Sequence, residues 1–177
     1  MRVLLLLAPL LLLQVVMAKV YERCELAREL RDRLRVPEEQ LATWVCIAHR
    51  ESMYNTSIVG TLAPAGKDHG LFQISDLFWC EKGDIGGACG LDCNSLLDDD
   101  IKDDFTCARR IYRAHQGLQG DGFRAWAVYA PHCSAGRHAL EEIYTKDCFA
   151  NTNAIQRRVL YHPAPLYWYY NVVHYVK

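Results

Sequence analysis

Eight cysteines constrain this 177-residue chain more than any other feature: Cys24, Cys46, Cys80, Cys89, Cys93, Cys107, Cys133 and Cys148. None stand in a Cys-x-x-Cys pair, which speaks against a zinc site. An even number in an oxidising compartment predicts four disulfides, and spacing alone leaves roughly a hundred pairings open. The N-terminus supplies the compartment. Met1-Arg2 carries a positive charge, residues 3–13 form an apolar run, and Val15-Val16-Met17-Ala18 offers small or apolar residues for a signal peptidase. This predicts a secretory signal over residues 1–18, cut after Ala18. The apolar run is too short for a bilayer, which needs about 17–25 residues. The expectation is a secreted, extracellular, soluble monomer.

Removing Arg2 with the signal leaves 19 basic against 21 acidic residues. That balance argues against a protein that works by gripping nucleic acid, and against one that disrupts anionic membranes or inserts into them. With 51% hydrophobic residues the chain has ample material for a core.

Cys24, Ala27, Leu30 and Leu34 recur at helical steps and predict a first helix over residues 24–34. Pro37-Glu38-Glu39 opens a second, whose buried face runs through Leu41, Trp44, Val45 and Ala48 to Glu51-Ser52. Residues 56–62 and 68–74, around the turn Pro64-Ala65-Gly66, predict a small hairpin. Residues 80–93 read as a Gly-rich loop, and residues 101–113 and 123–130 as two further helical pieces. Residues 151–177 differ from the rest: no acid, three basic residues, half of the ten tyrosines, and Trp168. They read as an appendage to a domain over residues 19–150, able to dock loosely or to meet a polysaccharide or an anionic surface.

Two carboxylates stand out by their settings. Glu51 follows the apolar run Trp44-Val45-Cys46-Ile47-Ala48, which should desolvate it and raise its pKa. Asp68, between Lys67 and His69, should occupy a more polar place and stay ionised. Carboxylates with diverging environments are what acid-catalysed glycoside cleavage requires.

The residues around this pair resemble the c-type lysozyme family. The resemblance rests on Cys24-Glu25-Leu26-Ala27, Trp44-Val45-Cys46-Ile47-Ala48-His49-Arg50-Glu51-Ser52, Asp68-His69-Gly70-Leu71-Phe72-Gln73-Ile74-Ser75, Trp79-Cys80, Cys107-Ala108-Arg109-Arg110-Ile111 and Ala125-Trp126, in order and with all eight cysteines. It resembles calcium-binding and arthropod-type members, with an added C-terminal extension. Lysozyme is the type case of the carboxylate pair, so the roles that follow are what the resemblance implies. It implies an α+β fold, mainly helical, with a cleft beside a small antiparallel sheet. The implied disulfides are Cys24–Cys148, Cys46–Cys133, Cys80–Cys93 and Cys89–Cys107. Glu51 would be the general acid and Asp68 the nucleophile or stabiliser. Gln73, Trp79 and Trp126 would contact substrate, the β-1,4-linked polysaccharide of bacterial cell walls, cut with retention.

Three positions depart from the family pattern: His69 replaces an aromatic Tyr, Ser75 an Asn that supports the aspartate, and Leu62 an often polar residue. Fewer hydrogen bonds to Asp68 would raise its pKa. The alternative expectation is therefore a non-catalytic relative of the α-lactalbumin kind that binds calcium or saccharide.

Five aspartates and one lysine give residues 98–104 a net charge of −4. This is not an EF-hand, because Lys102 takes a ligand position and no Glu closes the loop. One or two acids would suffice to start a helix. The stretch resembles the calcium loop of α-lactalbumin and of calcium-binding lysozymes. By that resemblance Asp98, Asp103 and Asp104 would bind Ca2+ through side chains, and Ser95 and Asp100 through carbonyls. Asn55-Thr56-Ser57 is a glycosylation sequon inside a folded region, where an unmodified Asn is at least as expected as a glycosylated one.

Overall fold

The computed structural model describes residues 19–62 and 64–149. The expected signal at residues 1–18 and the extension at residues 151–177 lie outside them. Backbone contacts divide the chain into two compact units.

Among the described residues, one unit comprises Glu22–Cys46 together with His132–Phe149. It opens with α1 (Arg23–Arg28), capped by Glu22 and Glu25 in a reciprocal box and continued by a π-helical turn, Glu29–Arg33. Leu26, Ala27 and Leu30 are fully buried, so the expected apolar stripe is present while its second half winds as a π-helix. Helix α2 (Glu38–Ser52) begins here, with Glu38 and Glu39 in the first turn and His49 and Arg50 in the last, as the helix dipole favours. A short α4 (Arg137–Tyr144), which no sequence signal marked, buries Leu140 and Tyr144. Disulfides Cys24–Cys148 and Cys46–Cys133 both lie in this unit. Arg23 donates to Asp147 at 2.7 Å and to the Tyr144 carbonyl at 2.8 Å.

The other unit contains residues 19–21 and Ile47–Pro131. Its three-stranded antiparallel sheet runs β1 (Val59–Thr61), β2 (Lys67–His69) and β3 (Ile74–Ser75) in that order. The expected hairpin is therefore joined by a third, two-residue strand. Asp68 pairs with Gly60 on one side and Ser75 on the other. Gly70, which follows β2, has φ +73°, and a Cβ there would stand 2.0 Å from the Leu96 carbonyl oxygen. Only glycine fits that turn. A 3-10 turn, Cys93–Leu97, precedes α3 (Lys102–Gln119), which is longer than the expected 101–113 and ends on Gly120 in the left-handed region. Residues 123–130 are not the helix the sequence predicts. They divide between a 3-10 turn, Gly122–Ala125, and a π-helical turn, Tyr129–Cys133. Disulfides Cys80–Cys93 and Cys89–Cys107 close the Gly-rich loop. All four pairings implied by the family resemblance are present, and no described cysteine is free.

Candidate active site

Glu51 stands in the last turn of α2, and the chain after it is held tightly. The Ser52 hydroxyl lies 3.0 Å from the Ala48 carbonyl and 2.9 Å from that of Leu71, joining the helix end to the β2–β3 turn. Met53 and Tyr54 follow at φ +52° and +67°. Two consecutive non-glycine residues in the left-handed region cost of the order of 1 kcal/mol or more each. Such strain persists only where surrounding bonds enforce it, here Met53 and Tyr54 amides donating to the His49 and Ala48 carbonyls.

A cavity of about 270 Å3 opens against this helix end, lined by Glu51, Leu62, Asp68, Gln73, Trp79 and Trp126 among others. Every catalytic and substrate-contact residue expected from the sequence reaches it. Ile74, Ser75, Ile111 of α3, Ala125 and Ala127 complete its walls, and the sequence assigned none of them a substrate contact. The apolar face of α3 was the signal that could have placed Ile111.

Burial pushes the Glu51 carboxyl up to about 7, with the charge of Asp68 adding to the effect. Asp68 differs from the expectation. It is half-buried, and desolvation pushes its pKa up as well. A hydrogen bond from Ser75 and the proximity of His69 act against that rise, while Asp76 adds to it. Ser75 thus supports the aspartate despite replacing the family's Asn. By contrast, Gly60 of β1 offers no side chain and Leu62, just after that strand, presents an apolar one.

His69 alternates to the face of β2 opposite Asp68 and is 4% exposed. Its Nε2 lies 3.5 Å from Asp76 Oδ2. Asp76 Oδ1 accepts the Lys67 amide at 2.7 Å, the main cause holding the Asp76 carboxyl below the usual range. This partner of His69 was missed in sequence, because the pairing exists only once β2 and β3 are in register.

The Trp126 indole N–H donates to the Phe72 carbonyl at 2.9 Å, fixing a 5%-exposed ring in the cavity wall. Trp79 stacks edge-on with Phe78, their centroids 4.8 Å apart. Gln73 is tied down. It sits at φ +49°, and its Nε2 reaches the Ile58 and Gly70 carbonyls at 3.1 and 2.9 Å. Only its oxygen remains as an acceptor for a ligand.

The aspartate-rich loop presents Asp98, Asp100 and Asp103 to a second cavity of about 520 Å3, together with Arg110 and Arg113. Asp104 is fully buried and neither carboxylate oxygen has a hydrogen-bond partner. Desolvation, with Asp103 and Asp98 nearby, drives its pKa well upward. An orphaned buried carboxylate fits a cation site. The carboxylates of Asp98, Asp103 and Asp104 are not, however, drawn into one tight cluster. Among the described residues the sole group of three His, Cys, Asp or Glu with ligand atoms within 4.8 Å is Cys24, Asp147 and Cys148. Two of those sulfurs form a disulfide. Asn55 of the sequon is half-buried, and its oxygen accepts from the Ser57 amide and hydroxyl, both at 2.9 Å.

The model of the C-type lysozyme/alpha-lactalbumin family matches residues 19–148. Lysozyme P of Drosophila melanogaster is 39% identical over 131 residues, covering 72% of this chain and 87% of the relative. Lysozyme C of Saguinus oedipus is 42% identical over 140 residues, covering 75% and 90%. A crystal structure of a lysozyme from Litopenaeus vannamei superposes with a TM-score of 0.69 at 31% identity, covering 76% of this chain and all of that one. With four shared-pattern disulfides, a small sheet and a carboxylate-lined cavity in place, the chain belongs to the C-type lysozyme/alpha-lactalbumin family.

Proposed function

We propose that this protein is a secreted muramidase, hydrolysing β-1,4 bonds between N-acetylmuramic acid and N-acetylglucosamine in bacterial peptidoglycan. The observation that carries this reading is the Glu51–Asp68 pair: both face one cavity, and Glu51 is held protonated up to about pH 7 by burial and by the charge of Asp68. In that state Glu51 donates its proton to the glycosidic oxygen as the bond breaks. The Asp68 carboxylate meets the cationic sugar carbon from the other side, forming the glycosyl-enzyme of a retaining mechanism. Glu51, now ionised, removes a proton from water as that water releases the sugar. Trp126 and Ile111 add apolar walls to the cavity that Glu51 lines, and the edge-stacked Trp79 offers a face to a sugar ring. Four disulfides favour an extracellular setting, and no helix among the described residues is long and apolar enough to cross a membrane.

A structural calcium ion belongs to the same reading. Asp98, Asp103 and Asp104, with carbonyls of Ser95 and Asp100, would hold it, supplying a hard cation that neutralises a self-repelling loop. No step of the reaction passes through it.

The test is clearing of a bacterial cell-wall suspension across pH by the protein and by Glu51→Gln. Loss of at least a hundredfold in the variant supports the assignment of the acid. Unchanged clearing would overturn it. A wild-type protein that binds cell-wall glycan without cutting it would favour the non-catalytic alternative.

A further inference from the structure

The backbone nitrogen of Lys19 faces two oxygens at once, Asp99 Oδ1 at 3.0 Å and Thr56 Oγ1 at 3.3 Å. Those two oxygens are 3.4 Å apart. A peptide N–H has one hydrogen and cannot serve both well. An α-ammonium has three, and carries the charge that Asp99 lacks a cation to meet in any ion pair among the described residues. The seat is built and not incidental. Thr56 is fully buried, its amide donates to the Lys19 carbonyl at 2.9 Å, and the Tyr21 hydroxyl donates to the Asp99 carbonyl at 3.2 Å. The Tyr21 amide donates to the Tyr54 carbonyl at 3.0 Å, and Val20 bridges Asn55. Residues 19–21 therefore run antiparallel along the segment that follows Glu51, with the start of that run clamped between it and the aspartate-rich loop.

We infer that Lys19 is the mature N-terminus and that Asp99 and Thr56 form a receptor site for its α-ammonium, completed only by cleavage of the Ala18–Lys19 bond. Hydrolysis of that amide consumes one water, leaving the carboxylate on Ala18 and the ammonium on Lys19. The product's positive charge then sits 3.0 Å from a carboxylate that previously met a neutral amide. Removal of the leader thus adds a charge-assisted hydrogen bond at the point where the post-Glu51 segment and the aspartate-rich loop meet. The inference stands apart from catalysis, since none of its groups lines the candidate active site.

The experiment is a double-mutant cycle on the secreted chain. Mass spectrometry first fixes the N-terminal residue. Four forms are then melted: the chain starting at Lys19, the same chain with one extra Gly before Lys19, and each of these carrying Asp99→Asn. The extra residue turns the ammonium back into an amide at the seat and should lower Tm by roughly 2–4 °C, the scale of one charge-assisted bond in a domain of this size. Asp99→Asn should lower Tm by a similar amount in the Lys19 form and by much less in the extended form. Additive shifts, no shift on extension, or a secreted chain that starts elsewhere than Lys19 would each overturn the inference.

Discussion

The indole N–H of Trp126 donates to the carbonyl oxygen of Phe72, so the wall of the cavity that holds Glu51 is pinned to the β2–β3 turn by a buried hydrogen bond. Two functions of that ring are separable. Trp126→Phe keeps an apolar wall but removes the buried hydrogen bond to the Phe72 carbonyl, which costs about 1–3 kcal/mol. Trp126→Ala also admits water to Glu51. The expected outcome is a lower Tm for both variants. The alkaline limb of the pH–rate profile should move to lower pH for Trp126→Ala alone. A shared shift in both variants would show that the hydrogen bond, not the desolvation, sets the acid.

Glu51 makes the folded state less stable at neutral pH. Its pKa rises from 4.5 to about 7 on folding, so the native state holds a proton that the unfolded chain has released. Stability contributed by that proton is present below about pH 4.5 and is lost as pH rises toward 7. Glu51→Gln removes the ionisation. Its Tm should match wild type near pH 4 and exceed it by a few degrees above pH 7, while activity is lost. Equal melting curves at both pH values would mean that Glu51 is better solvated than its burial implies.

Asp76 and His69 act on Asp68 with opposite signs. Asp76 raises the Asp68 pKa and His69 lowers it. The acid limb of activity, where Asp68 loses its charge, should therefore move to lower pH in Asp76→Asn and to higher pH in His69→Tyr. Both variants also break the contact between Nε2 and Oδ2, so a common loss of stability is expected beside the opposite pH shifts. Two limbs that move together would remove electrostatics from the explanation and leave only altered strand geometry.

Much of this site is legible in the sequence because its carriers have strong local signals. Helix α2 declares itself through Pro37, the acids at 38 and 39 and a continuous buried face, so Glu51 falls at a readable place. Trp126 and Asp68 were legible through the family's motifs, and the disulfide pairing through the family alone. What escaped has physical causes. β3 is two residues long and is a strand only by pairing with β2. Helix α4 is short, begins after Gly136 without a side-chain cap, and shows no acid in its first turn. The half-buried state of Asp68 accompanies its pairing between Gly60 and Ser75 in the middle strand, which no spacing rule reports. His69 reads as a polar neighbour of Asp68, yet strand alternation sends it to the opposite face and gives it Asp76.

The aspartate-rich loop carries the last prediction. Asp104 has both oxygens buried without partners, and the charges of Asp103 and Asp98 oppose its ionisation. Without a cation the native state must either hold a proton there or tolerate uncompensated charge, and each destabilises it at neutral pH. A calcium ion bound to the folded chain and not to the unfolded one would stabilise by mass action, about 2.7 kcal/mol at a hundredfold excess over its Kd. Wild-type Tm should therefore rise on adding calcium and fall with chelator. Asp104→Asn should melt higher than wild type in chelator, because the buried charge is gone, and respond little to calcium, because a ligand is gone. The two effects have opposite signs and separate a metal site from a helix cap: a cap would lose stability on Asp104→Asn in both solutions. Cell-wall clearing should change far less than Tm between calcium and chelator, since Glu51 and Asp68 line a different cavity from Asp98 and Asp103. A wild-type Tm indifferent to chelation at neutral pH and low salt would leave these aspartates as a charged start to α3, without a resident ion.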